Sequence, residues 1–109
     1  KIPGDAHVAP EKVTRYLLAP RRRGDKSKFL AGGGYRLENA AVLEHDIRAL
    51  ATREDANPLM TDIYGEKYEV RGVLPGPIRP RRVRTIWMRE HSTKRWKFIT
   101  LYPDRGHSE

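Results

Sequence analysis

A chain of 109 residues without cysteine holds one modest core and excludes disulfides, thiolate metal sites and cysteine nucleophiles. No apolar run approaches the roughly 18 residues of a membrane span, and the charged N-terminus has no signal-peptide core. The formal net charge of +8 points to a polyanionic partner, because clustered cations gain from counterion release and long-range steering.

Along the chain, 1–9 has no period and reads as an arm. Pro10 suits a first helical turn and Glu11 the positive end of the dipole, so Val13, Tyr16 and Leu17 predict a short amphipathic helix over 10–19 that Pro20 ends. A charged loop follows, and Asp25 is placed to cap a brief helix over 26–31 that Gly32-Gly33-Gly34 terminates. Asn39 is a good N-cap for the longest helix, 40–53, with Leu43, Ile47 and Leu50 as its buried stripe. After Asn57-Pro58 the period falls to 2, predicting strands at 59–64 and 67–74 about a Gly65-Glu66 turn. Pro75-Gly76-Pro77 and Pro80 make a stiff connection. Strands at 82–89 and 95–102 follow, joined by His91-Ser92-Thr93. The expectation is a single α+β domain: two or three N-terminal helices (10–53) packed on one face of a four-stranded antiparallel sheet (58–103), with a tail at 104–109.

The charge is concentrated in two places. Segment 79–97 carries Arg79, Arg81, Arg82, Arg84, Arg89, Lys94, Arg95 and Lys97 against Glu90 alone; segment 21–28 carries Arg21, Arg22, Arg23, Lys26 and Lys28 against Asp25 alone. In the last hairpin, a register pairing Thr85 with Thr100, Trp87 with Phe98, Val83 with Tyr102 and Ile86 with Ile99 gathers aliphatic side chains on one side. That register predicts an aliphatic face for the helices and a Thr85/Thr100/Tyr102 face for phosphate.

Other chemistries find little support. His45 lies beside a helix stripe, His91 in a loop and His107 in the tail, while His7 is on an arm that can fold over the sheet. None belongs to HxxxH, HExxH or a His/Asp cluster, so neither a metal nor another cofactor is expected. Ser27, Ser92 and Ser108 lack a GxSxG context, and the glycine triplet lacks the features of a P-loop. Glu44, Asp46, Glu54 and Asp55 fall outside the basic segments and read as solvated helix residues.

Cations, hydroxyls and a tyrosine remain. Cleaving RNA without metal needs a base for the 2′-hydroxyl, an acid for the leaving oxygen and cations for the charge on phosphorus. Lys26 and Arg84 can stabilise that charge, Thr85 and Thr100 orient the phosphate, and Tyr102 position or protonate it. Thr and Tyr are also favoured in strands for packing alone. Arg22, Arg23, Lys28, Arg81, Arg82 and Lys97 are expected to hold the nucleic-acid backbone, with Trp96 stacking on a base. The same features suit a non-catalytic RNA- or DNA-binding module, or an adaptor for an acidic protein.

The order of motifs resembles an uncharacterised bacterial domain family found at the C-termini of polymorphic-toxin and phage-associated proteins. The motifs are Pro10-x-Lys12…Tyr16-Leu17-Leu18, Gly24-Asp25-Lys26-Ser27-Lys28-Phe29-Leu30…Gly34-Tyr35, Tyr64-Gly65…Tyr68, Arg84-Thr85-x-Trp87 and Thr100-x-Tyr102-Pro103. Helices followed by four strands are similar to the barnase–EndoU–colicin–RelE group of ribonuclease toxins. The resemblance implies a monomeric, metal-independent ribonuclease delivered as the C-terminal part of a bacterial secreted protein and acting in a target-cell cytoplasm. RNA (tRNA or rRNA) and an acidic immunity protein would be its partners. Carried over by motif are Lys26, Thr85, Trp87, Thr100 and Tyr102; the histidine such enzymes often use has no counterpart in these motifs.

Overall fold

Apolar side chains recurring every three or four residues after Asn39 wind the longest helix. The computed structural model describes residues 1–23 and 25–105 and has two α-helices, α1 (Ser27–Gly32) and α2 (Ala40–Arg53). Leu43, Ile47, Leu50 and Ala51 of α2 are buried against a four-stranded antiparallel sheet. Its strands are β1 (Ala56–Thr61), β2 (Gly65–Leu74), β3 (Arg81–Glu90) and β4 (Trp96–Pro103), ordered in space as in sequence. The α+β expectation holds. Gly72 lets α2 lie close, since a Cβ there would meet Leu50 Cδ1 at 3.0 Å.

Local chemistry moves several boundaries. The first helix is a π-helical turn over Lys12–Leu17, closed by Leu18 N–H donating to Val13 O at 3.0 Å. It buries Val13 and Leu17 and leaves Tyr16 half-buried at the rim. The Asn39 side chain faces backwards: it accepts from Arg36 N–H at 2.7 Å and donates to Gly34 O at 3.0 Å, bracing the 3-10 turn Leu37–Asn39 rather than capping α2. The first hairpin turns at Asp62, not at Gly65-Glu66. Asp62 Oδ1 accepts from Tyr64 N–H (2.9 Å) and Gly65 N–H (3.1 Å), an Asx-type turn that holds its carboxyl below the usual range. Pro58 is tolerated because β1 is an edge strand with an irregularity between Pro58 and Met60.

The arm is part of the body. Ile2, Ala6 and Val8 are buried, and Ile2 N–H donates to Ala51 O at 3.2 Å. Arg48 of α2 binds the carbonyls of Gly4 and Ala6. The His7 backbone exchanges hydrogen bonds with Trp96 O and Phe98 N–H, a short parallel bridge along the otherwise open edge of β4. The stiff connection before β3 bends at Gly76, whose φ of 68° favours glycine and whose N–H donates to Tyr35 Oη. Buried Tyr35 in turn donates to Asp46 at 2.6 Å, and its burial pushes the phenol pKa up. Arg81, expected on nucleic acid, is a clamp instead: Nε donates to Phe29 O at 2.8 Å and the guanidinium lies over the Phe29 ring. The expected tail lies within the described residues only at Asp104 and Arg105; His107 and Ser108 lie outside them.

The last hairpin corrects the expected register. Trp87 pairs with Phe98 as foreseen, but beyond Ile99 the pairing slips by one, so Ile86 faces Thr100, Thr85 faces Leu101 and Arg84 faces Tyr102. The extra residue on β4 is a β-bulge. Independently of the bulge, the faces of β3 are the reverse of those expected. Val83, Trp87, Phe98 and Leu101 join the core beside the helices, while Ile86 and Met88 lie on the opposite side. Thr85 therefore belongs to the core and not to a phosphate face. It is fully buried, donates to Val70 O at 2.8 Å and accepts from Trp87 Nε1–H at 2.9 Å.

Thr85→Val keeps the shape but leaves the Trp87 indole N–H and Val70 O without this partner. A loss of about 1–3 kcal/mol is expected in urea unfolding, with Thr85→Ser recovering most of it. Unchanged stability of the valine variant would contradict the arrangement.

Candidate functional site

The bulge decides which side chains meet at the β4 edge. It leaves Ile99 without a partner on β3, and Lys12 Nζ of the π-helical turn donates to the Ile99 carbonyl at 2.6 Å. One turn on, Tyr16 stands over the edge, its hydroxyl 3.4 Å from Thr100 Oγ1 and 3.2 Å from Lys26 Nζ. Lys26 is 6% exposed, and its ammonium lies over both the Tyr16 ring (4.9 Å) and the Tyr102 ring (5.1 Å). Arg21 lies over the Tyr16 ring at 4.6 Å, and Arg84 over the Tyr102 ring at 5.2 Å. Lys12, Arg21, Lys26 and Arg84 thus alternate with two tyrosines and a threonine in one continuous patch.

Arg84 reaches inward as well. Its Nη1 lies 2.9 Å from Glu69 Oε2, while Arg71 Nε holds Glu69 Oε1 at 2.9 Å. Glu69 is buried with both oxygens engaged, which fixes Arg84 beneath Tyr102. Arg71 Nη1 is also 3.8 Å from Asp104. Tyr102 is 40% exposed, so the patch opens to solvent at the Tyr102 ring.

The electrostatics make the Tyr16 phenol more acidic. Hydrogen bonds from Thr100 and then Lys26, with the neighbouring charges of Lys26 and Arg21, hold the Tyr16 phenol below its ordinary value despite some desolvation. Burial lowers the Lys12 ammonium, partly opposed by Tyr16 and assisted by Lys97.

Of the residues expected to act on RNA, Lys26, Arg84, Thr100 and Tyr102 come together and Thr85 does not. Arg22, Arg23 and Lys28 are exposed on the loop and helix flanking the patch. Arg82 is exposed at the start of β3, two positions from Arg84, and its carbonyl accepts from Asp104 N–H. Lys97 is paired with Glu90 at 2.9 Å. Trp96 is half-buried, packed on the core and tilted against Tyr68 at 5.0 Å, so it is no open stacking platform. His7, His45 and His91 are exposed and stand outside the cluster; His91 Nε2 is 2.9 Å from Asp62 O. Among the described residues no three His, Asp or Glu side chains gather as a metal site, and no helix is long and apolar enough to cross a membrane.

Sequence reasoning missed Tyr16, Lys12, Arg21 and Glu69 as site residues. Tyr16 reads as one member of an apolar stripe, and Glu69 as one acid in an alternating strand. A signal was present for two of them, since Lys12 and Tyr16 stand together in the first recurring motif, Pro10-x-Lys12…Tyr16.

Residues 4–105 match the family described as Domain of unknown function (DUF6883), and the chain belongs to that family. No curated protein and no solved structure matches it.

If the patch binds a phosphate backbone, Lys26→Met and Arg84→Met should each weaken binding of a uridine oligonucleotide and lower the slope of log K against log salt by about 1. Trp96 emission should stay unquenched on binding. Wild-type affinity in both variants, measured by fluorescence anisotropy across a salt series, would remove the patch from the interface.

Proposed function

We propose that the domain is a metal-independent endoribonuclease that cleaves RNA by attack of the 2′-hydroxyl, leaving a 2′,3′-cyclic phosphate and a 5′-hydroxyl. The observation that carries this reading is the pair of cations, Lys26 and Arg84, on the partly exposed Tyr102 ring, with the Tyr16 and Thr100 hydroxyls beside Lys26. Transfer at phosphorus builds negative charge on the non-bridging oxygens, and fixed cations lower that barrier without reorganising. Lys26 and Arg84 take those oxygens, Thr100 holds the Tyr16 hydroxyl beside them, and Tyr102 lies against the ribose or base at the solvent side. Arg22, Arg23 and Lys28 steer the strand towards the patch. Thr85 is left out of the reaction because its hydroxyl is engaged in the core.

The same reading makes the domain a bacterial toxin: the C-terminal part of a secreted protein, delivered to a target cell's cytoplasm to cut tRNA or rRNA as a monomer. The producing cell would then need an acidic immunity protein to cover the cations of the patch.

Incubation with total RNA in EDTA should release fragments ending in 2′,3′-cyclic phosphate, and expression in a bacterium should arrest growth. Lys26→Met should reduce cleavage by about 10²-fold, as loss of a donor to transition-state charge commonly does. A folded wild-type protein that binds RNA with steep salt dependence and leaves it intact would make the domain a binding module. Binding to an acidic protein alone would make it an adaptor.

A further inference from the structure

A metal-free cleavage needs a group that accepts the 2′-hydroxyl proton, and among the described residues no histidine stands in the patch. Tyr16 is built for the task. Its oxygen meets Lys26 Nζ, a donor only, and Thr100 Oγ1, which can donate or accept. Thr100 Oγ1 also lies 3.4 Å from Leu101 O, so its single hydrogen has two acceptors within reach. With a neutral phenol, Tyr16 O–H donates to Thr100 while Thr100 donates to the Leu101 carbonyl. With a phenolate, the threonine hydrogen turns to the phenolate oxygen. Both protonation states are therefore satisfied without moving a backbone atom.

The groups facing Tyr16 all favour the anion. Lys12 is on its own helical turn, 5.9 Å from the ring; Arg21 comes from the following loop, Lys26 from the residue before α1, and Thr100 from β4. Among the described residues no carboxylate is hydrogen-bonded to the phenol, and hydrogen bonding together with these cations lowers its pKa.

We propose that Tyr16 is the general base of this site and that Lys26 is its paired acid. The inference rests on the ribonuclease reading and adds to it the two proton-transfer residues. The Tyr16 phenolate takes the 2′-hydroxyl proton as the 2′-oxygen bonds to phosphorus. The P–O5′ bond breaks, and the leaving 5′-oxygen takes a proton from the Lys26 ammonium. Tyr16 is then neutral O–H and Lys26 neutral amine. The Tyr16–Lys26 hydrogen bond passes the proton back, restoring phenolate and ammonium without any further reactant. Loading one group of a hydrogen-bonded pair with the proton the other has lost is what lets two residues of ordinarily high pKa turn over together.

The experiment combines three measurements on the whole chain. Tyr16→Phe should lose about 10²-fold or more in cleavage rate, keep its fold by circular dichroism, and bind a 2′-deoxy oligonucleotide as the wild type does. Ring-fluorinated tyrosine at position 16, a more acidic phenol, should restore cleavage and shift the alkaline-rising limb of the pH–rate profile to lower pH. Carbon-13 NMR of the labelled tyrosine Cζ atoms should show the Tyr16 signal, assigned by its absence in Tyr16→Phe, titrating below that of exposed Tyr64. Cleavage by Tyr16→Phe at the wild-type rate, an unmoved limb, or a Tyr16 signal that titrates with Tyr64 each overturns the inference and leaves the ribonuclease reading standing. Intact RNA with the wild-type protein overturns both.

Discussion

The slip of one residue at Ile99 is the constraint on which the rest of the molecule depends. An antiparallel pair in one register sends every second side chain to the same face, so β4 without a bulge would set Thr100 opposite Thr85 and Tyr102 opposite Val83. Both would then face the helices. With the bulge, Phe98 and Leu101 both enter the core, although three positions apart in a strand would ordinarily place them on opposite faces. Thr100 and Tyr102 are turned outward as a result. The carbonyl of the unpaired Ile99 accepts from Lys12, which fixes the π-helical turn against the strand and brings Tyr16 over Thr100. A single irregularity therefore completes the core on one side and assembles the tyrosine–cation patch on the other.

The excess positive charge divides by position rather than by residue type. Several cations are engaged in architecture. Arg81 ties β3 to α1, Arg48 ties the arm to α2, and Arg53 at the end of α2 donates to Val73 O of β2. Lys97 closes the last hairpin onto Glu90, whose carboxyl it helps hold below the usual range. The cations around Tyr16 and Tyr102 sit instead on ring faces. Arg84 among them is also joined to a carboxylate, Glu69, which it shares with Arg71. A basic segment in sequence thus resolves into side chains that hold the fold and side chains that gather on the tyrosine rings.

The helix α2 was legible to the residue, because fourteen positions of strict amphipathic spacing leave little freedom in where the stripe begins and ends. The order and direction of the strands followed from alternation and short connections. The turns were less legible: Asp62 captured the first hairpin turn by side-chain hydrogen bonding, which Gly65 seemed by composition to own. The burial of the arm was not legible, since Ile2, Ala6 and Val8 have no period and are buried by neighbours far along the chain. The site was half legible. Lys26, Arg84, Thr100 and Tyr102 carry the chemistry of the patch in their residue types. Tyr16 and Glu69 acquire theirs only from partners many residues away, Thr100 for the first and Arg84 for the second.

The misplacement of Thr85 shows how the same residue type divides between structure and chemistry. Thr85 and Thr100 were equivalent in sequence, one on each strand of a hairpin with alternating hydroxyls. In the fold, Thr85 lies beneath the helices, where an unbonded hydroxyl would cost free energy, and both its hydrogen-bonding roles are taken by Val70 O and Trp87 Nε1. Thr100 lies beyond the bulge, where its hydrogen can choose between a carbonyl and a phenol oxygen. A hydroxyl fixed by two committed partners can only support packing. A hydroxyl with two alternative acceptors can follow a proton, and the bulge at Ile99 is what gives β4 one of the second kind.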